Sequence, residues 1–278
     1  AYPLRILNWH EIVNDNFDGP LLVTYCPLCG SGVTAIREVD GEETIFGVSG
    51  LLWNSDLVMY DKKTESLWSQ ILATAVRGPK TGEKLDLLPS TLTTWSEWKD
   101  SYPDSKVLLP PPKSGTIVGD SFNAELIEYT RNKYTIYEDS DQIIGFNSNE
   151  ENLETKTLVM GIEVNGVARA YPFKTVKEER VINDRLDDVP VVVVFAPGNT
   201  LLAYKRSVNG FVLRFEPEDG THMEGGGSRW EITTGRAVDG PHQGERLERI
   251  TNLTPMFWHA WTKFYPNSTV YGSSSQDG

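Results

Sequence analysis

Cysteine is nearly absent from this 278-residue chain: Cys26 and Cys29 are the only two, three positions apart. That excludes a scaffold stapled by several disulfides, so the core must be hydrophobic. Histidine and methionine are equally thin, with four of each, so a site built from imidazole or thioether donors has few residues to draw on. Basic charge is short as well. The 26 Lys and Arg face 39 Asp and Glu, a formal net charge of −13, whereas nucleic acids and anionic membranes are held by focused positive charge. No nucleic-acid partner is expected. No apolar run approaches the roughly 20 residues of a bilayer-spanning helix, so no transmembrane segment is expected either. What is present is apolar and aromatic: 39% hydrophobic residues and eight tryptophans, enough to fold a large core against the entropy of ordering it.

The chain repeats itself. AYP occurs at 1–3 and again at 170–172, and LLVTYCPLCG lies over VVVVFAPGNT with Pro27 on Pro197. REVDGEETIFGV answers KRSVNGFVLRF, two strands about a DG or NG turn, a strong hairpin signal. ESLWSQ then pairs with GSRWEI, RGPKTGEKLDLL with DGPHQGERLERI, and TTWSEWKDSYPDSKVL with MFWHAWTKFYPNSTVY. Beyond AYP, five matched blocks in one order argue duplication. The expected fold is mainly β (a β-rich α+β protein) made of two diverged tandem repeats, each a β-sandwich or barrel-like unit with one short tryptophan-containing helix. The first repeat is assigned to 1–110 and the second to 157–278. Residues 111–156 form a linker opened by PPPKSGT, with bridging strands at YTIYE and QIIGF. Thr93 or Thr94 is positioned to cap the first helix, with Glu97 in its first turn and Pro103 beyond it. Trp95, Trp98, Trp258 and Trp261 are read as core residues. NWHEIVND and EERVINDRL read as helical. The second repeat opens with a hairpin, VMGIEV and VARAYP turning at Asn165 and Gly166, whereas the first begins at the AYP that would end one. Either an upstream strand belongs there or the first repeat never had it.

Three places could carry chemistry. In VTYCPLCG the thiols of Cys26 and Cys29 can converge on one ion or on each other. The pair therefore reads as half a metal site, a redox pair or a staple. The available metal partners are His10, His222, His242 and His259, with Met59 and Met223 as thioethers; thiols with histidine and methionine suit Cu(I), and thiols with histidine alone suit zinc. The strand-like GSGVTAIREV after Cys29 counts against a thioredoxin-type site, which needs a helix there. In the second repeat Ala196 stands where the first has Cys26, so the pair is not needed to form the repeat. In LLWNSDLVMY, Asn54, Ser55 and Asp56 form either a tight turn or the floor of a polar pocket that Gln70 and Arg77 could complete; without a G-x-S-x-G elbow, serine-hydrolase chemistry is not supported. In THMEGGGSRW, three glycines follow His222, Met223 and Glu224. The run reads as a surface hairpin or a ligand set, and it lacks the spacing of a nucleotide loop, so no nucleotide is expected. Asn252 and Asn267 open N-x-T sequons, which matter only on an exported chain.

VTYCPLCGSG, FGVSGLLWNSDLVMYD, ESLWSQ and LLPSTLTTWSEW resemble a bacterial and archaeal family known only as a domain of unknown function. The resemblance covers almost the entire chain, including ARAYP and VIND. It implies that His10, Cys26, Cys29, Asn54, Ser55 and Asp56 occupy family positions. Because many relatives carry secretion or lipoprotein signals, it also implies an extracytoplasmic setting: secreted, periplasmic or at the cell surface. It supplies no reaction. The reading is an extracytoplasmic metal-binding protein holding one copper or zinc ion at Cys26 and Cys29. Two alternatives stand beside it: a structural or interaction module that self-associates or meets an extracellular protein through its duplicated β units, and a thiol–disulfide oxidoreductase.

Overall fold

The computed structural model describes residues 1–110, 128–144 and 152–273, so PPPKSGT after Pro110 and the end of QIIGF lie outside the described residues. The chain divides into two compact units, Ala1–Leu88 with Asp104–Asn147, and Pro89–Pro103 with Ser148–Gly278.

In the first unit the short helix Leu4–His10 leads into an antiparallel sheet of Ile12–Asn16, Pro20–Cys26, Ser31–Ile36 and Leu87–Leu88. A second sheet contains Phe46–Trp53, Asp56–Asp61, Leu67–Ser69 and Thr74–Arg77. Between them the DG hairpin forms as expected from Glu38–Val39 and Glu42–Glu43. Asp40 and Gly41 both have positive φ, the geometry that a two-residue turn between twisted strands demands.

The second unit repeats this plan. Helix Phe173–Glu179 precedes a sheet of Val181–Leu186, Val189–Ala196 and Thr200–Lys205. A four-stranded sheet follows, Phe215–Pro217, His222–Gly225, Ser228–Glu231 and Arg236–Ala237, reached through a hairpin turning at Asn209 and Gly210. The opening hairpin expected at 158–172 pairs Leu158–Val164 with Val167–Pro172; it extends into a sheet with Met256–Phe257 and, in parallel, Thr269–Val270. The strand Val189–Ala196 explains the VVVV run. Val192 and Val194 face one apolar cluster containing Phe215, Met223 and Trp230. Val191 and Val193 face another containing Ile162, Tyr171 and Val176. A strand buried on both faces reads as continuous apolar sequence rather than alternating.

Local sequence misleads at three points. NWHEIVND and EERVINDRL are each a helix end followed by a strand, because Glu11 (φ 60°) and Arg180 (φ 68°) leave the helical region. The β-branched pairs Ile12–Val13 and Val181–Ile182 then continue extended. YTIYE is not a strand but mostly the one-turn helix Thr135–Glu138. Asn132 initiates it, its side chain accepting from Tyr134 N–H at 3.0 Å and its carbonyl from Thr135 Oγ1 at 3.0 Å, an Asx-type start that outweighs β propensity. Of the four helical tryptophans, Trp258 and Trp261 are buried as expected, but Trp95 is 45% exposed. Its helix, Trp95–Ser101, is capped by Thr94, which accepts from Glu97 N–H, and groups with the second unit.

Candidate metal centre

Two connections of the first unit are longer than their counterparts in the second, and together they build the site. In the sheet carrying Cys26, the turn between paired residues runs Pro27–Gly30 from Cys26 to Ser31. Its counterpart runs Pro197–Asn199 from Ala196 to Thr200. The extra length accommodates Cys29, whose N–H reaches back to Cys26 O at 3.2 Å, while Gly30 takes φ 65° to turn the chain. In the other sheet, the stretch between Val48 and Met59 continues into a hairpin arm that turns at Asn54 and Ser55. The equivalent connection, Glu218–His222 between Pro217 and Met223, is much shorter.

Asn54 (φ 54°) and Ser55 (φ 65°) are both left-handed, which makes this a tight two-residue turn. It is also a floor. Ser55 and Asp56 are buried, and the Ser55 carbonyl faces both thiols, Sγ of Cys29 at 3.3 Å and of Cys26 at 3.6 Å. Cys26 Sγ, Cys29 Sγ and a carboxylate oxygen of Asp56 all lie within 4.8 Å of one another, and all three residues are buried. Both cysteines are free thiols.

The electrostatics follow from that burial. Burial pushes the Asp56 carboxyl up to about 7, against hydrogen bonds from Ser69 Oγ (2.6 Å) and Ile71 N–H (3.3 Å) that favour the anion. Burial also raises the Cys29 thiol well above its usual range, with a sulfur hydrogen bond and negative charge from Cys26 and the Asp56 carboxylate adding to it. Burial thus favours the protonated forms of Asp56 and Cys29, and a cation beside them would reverse that.

Around this core the polar residues interlock. Gln70, fully buried, donates to Thr24 Oγ1 (3.1 Å) and Ser31 O (3.2 Å) and accepts from Ser31 Oγ (2.9 Å), tying the sheet of Cys26 to that of Asp56. The segment 128–144 covers the turn: Tyr137 Oη donates to Leu28 O at 2.9 Å, and Ser55 Oγ donates to Ile144 O. Tyr134 Oη donates to Glu11 Oε1 at 2.9 Å, and His10 Nε2 meets Tyr129 Oη at 2.7 Å.

The other sequence candidates fall elsewhere. His10 is not one of the three clustered groups; burial and the Lys133 cation lower its pKa and favour the neutral ring. Met59 and Met223 occupy equivalent positions, each paired across its sheet with a buried tryptophan, Trp68 and Trp230, so both are core side chains. His222 is held by Asp219 and Thr221 in the second unit. Arg77 is exposed at a strand end opposite Leu67. The GGG turn has positive φ at Gly226 and Gly227. Of the sequons, Asn267 is exposed in a turn and Asn252 is half-buried. Asp56 as a partner of the thiols, and the tyrosines of 128–144, were not foreseen. The one usable signal for Asp56 was an acidic residue between LLW and LVMY, where a buried strand has no other reason for charge.

A family described as a protein of unknown function (DUF3179) matches residues 1–268. The chain belongs to that family. No curated protein and no solved structure matches it. Among the described residues of this family member, no helix is long and apolar enough to cross a membrane.

Proposed function

We propose that this DUF3179 protein is a metal-binding protein whose ion sits between Cys26, Cys29 and Asp56. One observation carries the reading: the two connections that distinguish the first repeat from the second converge, and they bring two thiols and a carboxylate within 4.8 Å of one another in a buried spot. A fold that closes in its other copy without these residues has no packing need for them. Three buried acidic groups are costly unless a cation or protons neutralise them.

The donors favour zinc over copper. Two thiolates and a carboxylate are a zinc-type set, three protein ligands that leave a fourth position for water or another group. The methionines that would have pointed to Cu(I) are committed to the two cores. Burial and a raised thiol pKa make Cys29 a poor exchanger, which weighs against a thiol–disulfide oxidoreductase. An extracytoplasmic setting is proposed with it, supported by the resemblance to exported relatives; there, a bound ion would keep the thiols from oxidising.

Elemental analysis of natively purified protein, with thiol counts before and after denaturation, tests the reading. One equivalent of zinc with two reduced thiols is expected. Cys26→Ser/Cys29→Ser should lose the metal while keeping its far-UV circular dichroism. Asp56→Asn should bind about tenfold or more weakly in a chelator competition. Reloading with Co(II) should give sulfur-to-cobalt absorption that the double variant lacks. Metal content unchanged in the double variant would refute the assignment, and copper in place of zinc would overturn the choice of ion.

A further inference from the structure

A second site lies wholly within the unit Pro89–Pro103 with Ser148–Gly278, in a cleft of about 520 Å3. That volume falls in the range of small-molecule sites, about 300–1,000 Å3. Trp98 and Tyr102 form one wall, their rings 4.4 Å apart, and Tyr204, Arg246 and Arg249 line the rest.

The repeat supplies an internal control. Trp98 and Tyr102 correspond to Trp261 and Tyr265, which stack at 4.0 Å. In that copy the strand Leu158–Val164 covers the tryptophan so closely that a Cβ on Gly161 would come within 2.2 Å of its ring. One copy of the aromatic pair is therefore structural, while the other faces an open cleft. The opposite wall differs between repeats in the same sense. Tyr204 and Arg249 take the places of Ala35 and Leu87, which pair across the equivalent strands of the first unit. Tyr204 is itself a core residue, its hydroxyl donating to Ile232 O at 2.7 Å, but the repeat closes with leucine where Arg249 stands, so the arginine is not demanded by the fold.

The charge points to a ligand of one sign. Among the described residues neither Arg246 nor Arg249 is ion-paired. The Arg249 guanidinium stacks 5.0 Å from the centre of the Tyr204 ring and donates to Thr91 Oγ1 at 3.2 Å. Glu248, also on the rim, is engaged with Lys205 at 2.6 Å. The Glu231 carboxylate acts on the same rings, Tyr102 and Tyr204, but its side chain accepts from Thr234 Oγ1 at 2.6 Å. Two guanidiniums to that one carboxylate, beside aromatic rings in a chain of net charge −13, suit a carboxylate ligand. Beside the apolar Pro89 and Leu247, the remaining lining offers hydroxyls and an amide, from Thr91, Thr233, Thr234 and Asn252, which suits a ring that carries hydroxyls. We propose that this cleft binds an acidic sugar, its carboxylate on Arg246 and Arg249 and its ring against Trp98 and Tyr102.

Calorimetric titration of the full chain with D-glucuronate, D-glucose and inorganic phosphate tests this. Saturable glucuronate binding is expected, with glucose and phosphate each weaker by about tenfold or more. Arg246→Met, at an exposed position where folding is not at risk, and Trp98→Leu should each weaken glucuronate by about tenfold. No saturable glucuronate heat, glucose binding as tightly, phosphate binding as tightly, or indifference to both Arg246→Met and Trp98→Leu would overturn the proposal.

Discussion

Asn14 and Asn183 hold the same junction in the two halves. Asn14 Nδ2 donates to Phe46 O at 2.8 Å while its Oδ1 accepts from Phe46 N–H at 2.7 Å; Asn183 does the same with Phe215 at 2.7 and 2.8 Å. Each side chain satisfies a backbone donor and acceptor that would otherwise lack partners in a partly buried strand. Asn14→Ala and Asn183→Ala are each expected to cost about 2–3 kcal/mol, measured by urea denaturation. Beside each asparagine, a tyrosine from the preceding AYP donates to an aspartate, Tyr2 to Asp15 at 2.7 Å and Tyr171 to Asp184 at 2.8 Å. The hydrogen bond from Tyr2, with another from the Asn16 N–H, holds the Asp15 carboxyl below its ordinary value. A depressed carboxyl stabilises the fold above the unfolded value, about 3.9, and that contribution is lost as pH falls through the lower folded value. Tyr2→Phe should move the Asp15 titration upward, seen by carboxyl NMR, and flatten that acid limb. AYP was visible in the sequence as a repeated motif, and ND stands in NWHEIVND and EERVINDRL, the stretches read as helical. Their pairing was not visible, because it depends on which strand lies beside which.

At the scale of elements, duplication was legible because hairpin turns and strand-ending prolines are local. DG and NG need nothing distant to adopt positive φ. What the helices pack against was not legible. Trp98 and Trp261 sit in matching sequence, yet Trp261 is covered by a strand at Gly161 and Trp98 lines a cleft. The difference lies in what each helix meets, which the helical sequence does not encode. Gly161→Ala should be destabilising by about 1–3 kcal/mol or more, since the strand or the indole must shift to admit a methyl group; chemical denaturation followed by near-UV circular dichroism reads it. Thr135–Glu138 makes the converse point. Tyr, Thr and Ile favour strands, but an Asx turn at Asn132 set the local path.

For the molecule as a whole, two related units carry different cargoes: a thiol and carboxylate cluster in one, an arginine-lined aromatic cleft in the other. Zinc loading should therefore slow amide exchange at Cys26–Gly30, Asn54–Leu57 and 128–144, the segments that meet at the cluster, and leave Val191–Val194 unchanged; hydrogen-exchange mass spectrometry distinguishes this from a global effect. The sequence by itself determined the β-rich class, the duplication and the cysteine pair, because strand alternation, turn chemistry and thiol spacing act over a few residues. Only the tertiary structure decided that Asp56 joins the thiols, that Met59 and Met223 belong to cores, and that Tyr204 and Arg249 share a cleft with Trp98. Each of those depends on how strands distant in sequence are brought side by side, and side-chain chemistry is read out only after that packing is complete.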